Sequence, residues 1–303
     1  MKIGFSLSPG GLLLPYHLGA LASLAHHGFI TDSTPLVGSS AGAIAVAAHA
    51  SGVPSLTALE ASTRVSDKVL HDPFMIPTGG LLPALRQELH HLLPHNAHHI
   101  LNDRPGLVGL AHRELFPNNR PVVQTQFATR RCLMDAICDS SMFPFFLTNQ
   151  PIRIVPRHGR LLPRVVVDGL FACAAERMGC PDFDQCYHRH GQEQYGHQQL
   201  LQEPQRTASP VVDRTVMISV FPTEFLSLTT TPKENLIGPA LEQDHYYLAA
   251  QVMRLLRLAT HGANPTELHD LYQQGYLDAE HWSIQERSQR DVIKRNVYMP
   301  HQP

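Results

Sequence analysis

Pro35-Leu36-Val37-Gly38-Ser39-Ser40-Ala41-Gly42 leads into a run of small residues that ends at Ala50-Ser51-Gly52. Three apolar residues before a glycine read as a short buried strand, and Ala41–Ala50 reads as a helix stopped by Ser51-Gly52. Between them lies Gly38-x-Ser40-x-Gly42. A serine on so sharp a strand-to-helix turn adopts a strained backbone, and flanking glycines remove the Cβ atoms that would clash. Its hydroxyl stands at the C-terminal edge of a sheet, above a helix N-terminus whose dipole favours negative charge. The same five residues also suit an ordinary small-residue turn that lets helix and strand pack closely. The turn alone leaves both readings open.

Upstream, Ile3–Leu7 is an apolar run closed by Pro9-Gly10-Gly11, a strand entering a turn. Residues 15–27 carry apolar side chains at helical spacing, begin on Pro15 and stop at Gly28. Strand, helix, strand, helix within about fifty residues predicts a right-handed βαβ unit and a parallel sheet. Backbone N–H groups of the Pro9-Gly10-Gly11 turn would then lie beside Ser40, where they could hold an oxyanion. A plain tight turn fits too, and a nucleotide phosphate loop lacks its Gly-Lys-Ser/Thr.

Downstream, helices are expected at residues 56–69, 81–93 and 130–138, and strands at 107–114, 121–127, 152–155 and 164–167. Val165-Val166-Val167 is a β-branched run of the buried kind. Residues 176–213 are rich in Gln, His, Pro and Cys and read as a surface insertion. A strand at 215–220 and helices at 241–260 and 265–284 complete the chain.

Composition narrows the function. Among 303 residues, 24 basic and 26 acidic side chains give a formal charge of -2, so nothing draws the chain to a phosphate backbone. Five cysteines, odd in number and without metal-site spacing, suit a reducing compartment. The N-terminus lacks the apolar core of a signal peptide, and no stretch approaches the ~20 apolar residues of a membrane span. The expected location is intracellular, cytoplasmic or peripheral on a membrane or lipid droplet, with no nucleic-acid partner.

Further motifs stand in a suggestive order: Tyr16-His17-Leu18-Gly19, Ala136-Ile137-Cys138-Asp139-Ser140-Ser141-Met142-Phe143-Pro144, Val166-Val167-Asp168-Gly169, Ile218-Ser219-Val220-Phe221-Pro222 and Gly275-Tyr276-Leu277-Asp278-Ala279. With the two glycine turns they resemble the patatin-like phospholipases. They are most similar to the animal-type branch that includes adipose triglyceride lipase. The resemblance implies a three-layer α/β/α fold with a mainly parallel central sheet plus C-terminal helices. It implies a catalytic domain over residues 1–222, with 176–213 as insertion or lid, and a helical extension over 223–303 packed on it. It also implies hydrolysis, or transacylation, of lipid carboxylic esters (phospholipase A or acylglycerol lipase chemistry) with neither cofactor nor metal.

By that resemblance Ser40 is the nucleophile and Asp168 its base, a dyad with no histidine, and an acyl-enzyme forms between attack and hydrolysis. Gly38 and Gly42 shape the nucleophile turn and Gly169 the base loop. Gly10, Gly11 and Leu12 form the oxyanion hole. Three positions depart from the family pattern. Pro9 and Leu14 stand where the glycine-rich turn has glycines, and Leu170 replaces the second glycine of Asp-Gly-Gly. Those departures also motivate a catalytically impaired lipid-binding or scaffold protein, and a peptidase is a weaker alternative. His17, beside the oxyanion turn, is the histidine to test for a triad, against a helix-packing role. His90, His91, His95, His98 and His99 read as a solvated helix end rather than a metal site. Leu12-Leu13-Leu14 and Met142-Phe143-Pro144-Phe145-Phe146 are candidates to line an acyl channel, or simply core.

Overall fold

The computed structural model describes residues 2–72, 74–156, 162–186, 211–222, 231–239 and 245–298. Most of the expected 176–213 insertion, residues 187–210, lies outside them.

Five parallel strands form the larger part of one mixed sheet and run to one of its edges: β1 (Ile3–Leu7), β2 (Leu36–Ser39), β3 (Val108–Phe116), β7 (Arg214–Ile218) and β8 (Leu236–Ile237), in the order β3-β2-β1-β7-β8. Every residue of β1 and β2 is buried, as expected for strands covered by helices on both faces. Antiparallel strands complete the sheet: β4 (Arg120–Gln124), β5 (Arg153–Val155) and β6 (Arg164–Val167). The helices are α1 (Leu14–His26), α2 (Ala41–Ala50), α3 (Ser55–His71), α4 (Leu81–Leu92), α5 (Ala97–Asp103), α6 (Arg130–Ser140), α7 (His245–His261) and α8 (Pro265–Tyr298). The result is an α/β three-layer fold with C-terminal helices.

Register on β3 decides where chain ends meet. Ala111 pairs with Ser39 of β2 on one edge and Val123 of β4 on the other; Arg113 pairs with Val167 of β6 and Pro121 of β4. Since β4 occupies one edge throughout, β2 and β6 share the other. β2 runs parallel to β3 and β6 antiparallel, so their C-terminal ends point at each other across a single β3 residue, His112.

Two motifs far apart in sequence form one joint. A Cβ on Gly19 of α1 would strike the Tyr272 carbonyl, and one on Gly275 of α8 the Tyr16 carbonyl, so the helices cross backbone to backbone. Tyr16 Oη donates to Asp278 at 2.6 Å across the same crossing. Further along, Trp282 meets Phe5 edge-on at 5.8 Å, and Arg214 Nη1 pairs with Glu286 at 2.7 Å. α8 is thereby fastened to β1 and β7.

The expected elements are present, with differences at their ends. α8 runs past residue 284 because its later turns are held by contacts such as that of Arg290 with Glu286 at i,i+4. Pro94 does end the histidine-rich helix, but a new helix starts at Ala97 and carries His98 and His99. The two-residue β8 has too few residues for any periodic signal.

Candidate active site

Ser40 follows β2 and is the N-cap of α2, with φ 52° and ψ -121°. A non-glycine residue at positive φ costs about 1–3 kcal/mol and persists only where its surroundings hold it. They do. A Cβ on Gly38 would strike the Gly42 backbone, and one on Gly42 would come within 2.7 Å of the Leu7 and Ser8 carbonyls. Only glycines let this turn nest against itself and against β1. Ser40 makes no side-chain cap bond, which leaves its hydroxyl for other partners.

Asp168 follows β6 and is fully buried. The head-on meeting of β2 and β6 brings it to Ser40. One carboxylate oxygen accepts the Leu170 N–H at 2.8 Å. The Ser40 hydroxyl faces the group closely enough to favour its charged form, while Oδ2 makes no hydrogen bond of good geometry. Loose alignment of this kind is common before substrate tightens a site. Burial dominates the electrostatics and pushes the carboxyl up to about 7. Gly169 continues the loop where a Cβ would come within 2.5 Å of both the Ala111 carbonyl and Ser39 Cβ. No larger residue fits.

The glycine-rich turn sits alongside. Gly11, at φ 56°, opens a short 3-10 helix through Leu13 that runs directly into α1. The first N–H groups of a helix have no partner within it, so those of Gly11 and Leu12 are available to an anion. Ser8 anchors the turn with every polar atom it has. Its N–H donates to Ile218 O at 2.9 Å, its hydroxyl donates to Pro9 O at 3.0 Å and accepts from Val220 N–H at 3.3 Å, and its carbonyl accepts from His17 Nε2 at 2.8 Å. His17 is therefore a fastener of this turn, facing Ser8. Burial pushes its imidazole down to about 4, so it is neutral.

Pro9 and Leu170, two of the three departures noted above, meet at one place. Both pack on Gly179: a Cβ there would lie 2.6 Å from Pro9 Cδ and 3.0 Å from Leu170 Cδ1. The Gly179 carbonyl accepts the Ser39 hydroxyl at 2.5 Å and the Cys173 thiol at 3.3 Å. The start of the expected insertion is thus built into the site, a role that its composition did not suggest. Leu14, the third departure, is the first residue of α1 and faces the cavity described next.

An apolar cavity opens at Ser40. Its wall is formed by Leu12 and Leu14, by Ile44, by the α3 stripe Ala58, Ala61 and Val65, by Leu81, Leu85 and Leu89 of α4, and by Phe146 and Leu147. Glu88 is the charged residue on the wall, and it is neutralised by Arg64 Nη2 at 2.9 Å. The apolar lining suits a hydrocarbon chain. The two runs expected to line it divide. Leu12, Leu14 and Phe146 do so, Leu13 and Met142 are core, and Phe143 and Phe145 are exposed. Asp168 and Gly10 do not reach the wall.

A serine hydroxyl paired with a buried, raised carboxyl at the end of an apolar cavity has the parts for acyl transfer: nucleophile, base, N–H donors and a place for the chain. Among the described residues no cluster of His, Cys, Asp and Glu has metal-binding geometry. No curated protein matches the chain significantly. The family model of patatin-like phospholipases matches residues 5–173, more than half of the chain, from within β1 to the loop beyond Asp168. The chain therefore belongs to the patatin-like phospholipase family, whose members hydrolyse lipid esters.

Proposed function

We propose that this protein hydrolyses carboxylic esters of lipids through a Ser40–Asp168 dyad. The observation that carries the reading is the raised carboxyl of Asp168, met by Ser40 at the head of an apolar cavity. Ser40 Oγ attacks the ester carbonyl while Asp168 takes its proton; the tetrahedral oxyanion is held by the Gly11 and Leu12 N–H groups with Gly10 beside them. Asp168 returns the proton to the leaving alkoxide, which departs as alcohol. Water then attacks the acyl carbon and loses a proton to Asp168; the bond to Ser40 Oγ breaks, the free acid leaves, and Asp168 passes the proton to Ser40 Oγ. A carboxyl near 7 suits both directions of transfer at neutral pH.

One acyl chain occupies the cavity, and the head group stays outside it. Phe143 and Phe171 stack at 6.0 Å, and with Phe145 they expose aromatic surface on the two loops beside Ser40 and Asp168. That surface suits a membrane or lipid-droplet interface contacted peripherally, without net-charge attraction. No described helix is long and apolar enough to cross a membrane. We also place the chain near the animal-type branch, because its Tyr-His-x-Gly and Gly-Tyr-x-Asp-Ala motifs form the α1–α8 joint. That joint, with the bonds from α8 to β1 and β7, further supports residues 223–303 as an extension packed on a catalytic unit of residues 1–222.

The test is a fluorophosphonate probe followed by lipid-class profiling of products. Wild type is labelled and releases fatty acid, and Ser40→Ala does neither. A wild type that stays unlabelled across detergents and pH, yet binds lipid, would instead establish the scaffold reading.

A further inference from the structure

β2 and β6 end facing each other, and neither donates a ladder bond to the other. Something else must set the distance between Ser40 and Asp168. The segment leaving α6 occupies that gap. Ser140 Oγ accepts the Ser40 N–H at 2.9 Å and donates to the Ala111 carbonyl of β3 at 2.5 Å. Two residues on, the Met142 carbonyl accepts the Asp168 N–H at 3.0 Å. One residue before, Asp139 binds Arg164 of β6 at 3.1 Å and also Arg153 of β5. Asp139, Ser140, Met142 and Asp168 are all buried, Ser140 and Asp168 completely.

We propose that Ser140 is a positioning residue: the segment Ser140–Met142 is the spacer that fixes Ser40 against Asp168. The proposal rests on the dyad reading. Its physical basis is that Ser40 holds a strained backbone whose N–H has Ser140 as its partner. Ser140 in turn is clamped to the carbonyl of Ala111, the β3 residue in register with Ser39 at the end of β2. Without the hydroxyl the Ser40 N–H loses its acceptor, and the turn can relax away from Asp168.

A chromogenic medium-chain ester is assayed from pH 5 to 9 with wild type, Ser40→Ala, Ser140→Ala, Ser140→Cys and Ser140→Thr. A buried donor left unpaired costs about 1–3 kcal/mol, so kcat of Ser140→Ala is expected to fall about 10- to 100-fold with KM little changed. Its acidic limb also moves to higher pH, because the Ser40 hydroxyl no longer favours the Asp168 charge. Ser140→Thr, which keeps a hydroxyl, recovers most of kcat and the wild-type limb. Should Ser140→Ala not fold, Ser140→Cys, of nearly the same size and a poorer acceptor, shows the same shift with a smaller loss. A limb unmoved in the variants that fold, whatever happens to kcat or to melting temperature, overturns the spacer role while leaving the dyad intact. Turnover that survives Ser40→Ala overturns the dyad and the spacer together.

Discussion

Asp168 should destabilise the protein that depends on it, and Asp168→Asn measures by how much. The folded carboxyl is pushed up to about 7 from an ordinary 3.8, chiefly by burial. Between those two pH values the folded state keeps a proton that the unfolded state has released. Stability from this group is therefore greatest at or below about pH 4, falls as pH rises to about 7, and is flat above. At about 1.4 kcal/mol per pH unit the full loss is about 4 kcal/mol, an upper figure for a group that relaxes on ionising. Asparagine is neutral at every pH and similar in shape, and its oxygen can still accept the Leu170 N–H. Its amide can donate to the Ser40 hydroxyl. Urea titrations of both proteins at pH 5 and pH 8.5 give the comparison. The variant should gain on wild type between the two, by up to about 3 kcal/mol, because the part of the loss below pH 5 is already complete at the lower pH, with the m-value unchanged. Ester turnover of wild type rises along a limb near pH 7, and that of the variant drops about 10²- to 10⁴-fold. Parallel pH dependences of stability in the two proteins would refute a buried, raised carboxyl and remove the main support for Asp168 as base.

Ser40→Gly and Ser40→Ala should both lose probe labelling, but glycine tolerates φ 52° and should unfold at higher urea, by about 1 kcal/mol. Gly42→Ala places a methyl against the Leu7 and Ser8 carbonyls and should cost about 1–3 kcal/mol in urea denaturation, with turnover lost. A variant of wild-type stability would show that the turn does not need the close approach. Leu89→Trp fills the cavity; turnover of long-chain esters should fall at least about tenfold relative to short-chain ones, and equal loss on both would mean that the chain lies elsewhere. Phe145→Ser removes an exposed ring beside the site; partition onto neutral phosphatidylcholine vesicles, measured by co-sedimentation, should weaken about tenfold, and unchanged partition would move the interface off this surface.

Much of this protein could be read along the chain because its signals are local. Pro9-Gly10-Gly11 and Gly38-x-Ser40-x-Gly42 announce turns by residues that only particular backbone angles or close approaches require. Val165-Val166-Val167 announces a buried strand by branching at Cβ. Elements built from such signals lie where they were expected. The edge strand Leu236–Ile237 and the helix Ala97–Asp103 were missed, one because two residues carry no period, the other because a histidine-rich stretch masks its apolar spacing.

What the chain alone could not reveal is how its ends meet. Ser40 and Asp168 are 128 positions apart, and nothing local in either says that β2 and β6 share one edge of β3 and run toward each other. That follows from register, which three strands settle together by burying their side chains. The same holds for Gly179, which looked like part of a surface insertion and is the contact on which Pro9 and Leu170 rest. It holds for Ser140, one polar residue in a motif until its hydroxyl is found between the nucleophile turn and β3. Sequence determined which residues could do chemistry, because reactivity belongs to residue type and turn geometry to its neighbours. Tertiary structure alone decided that the carboxyl is buried and opposite the serine, since desolvation and proximity are properties of packing.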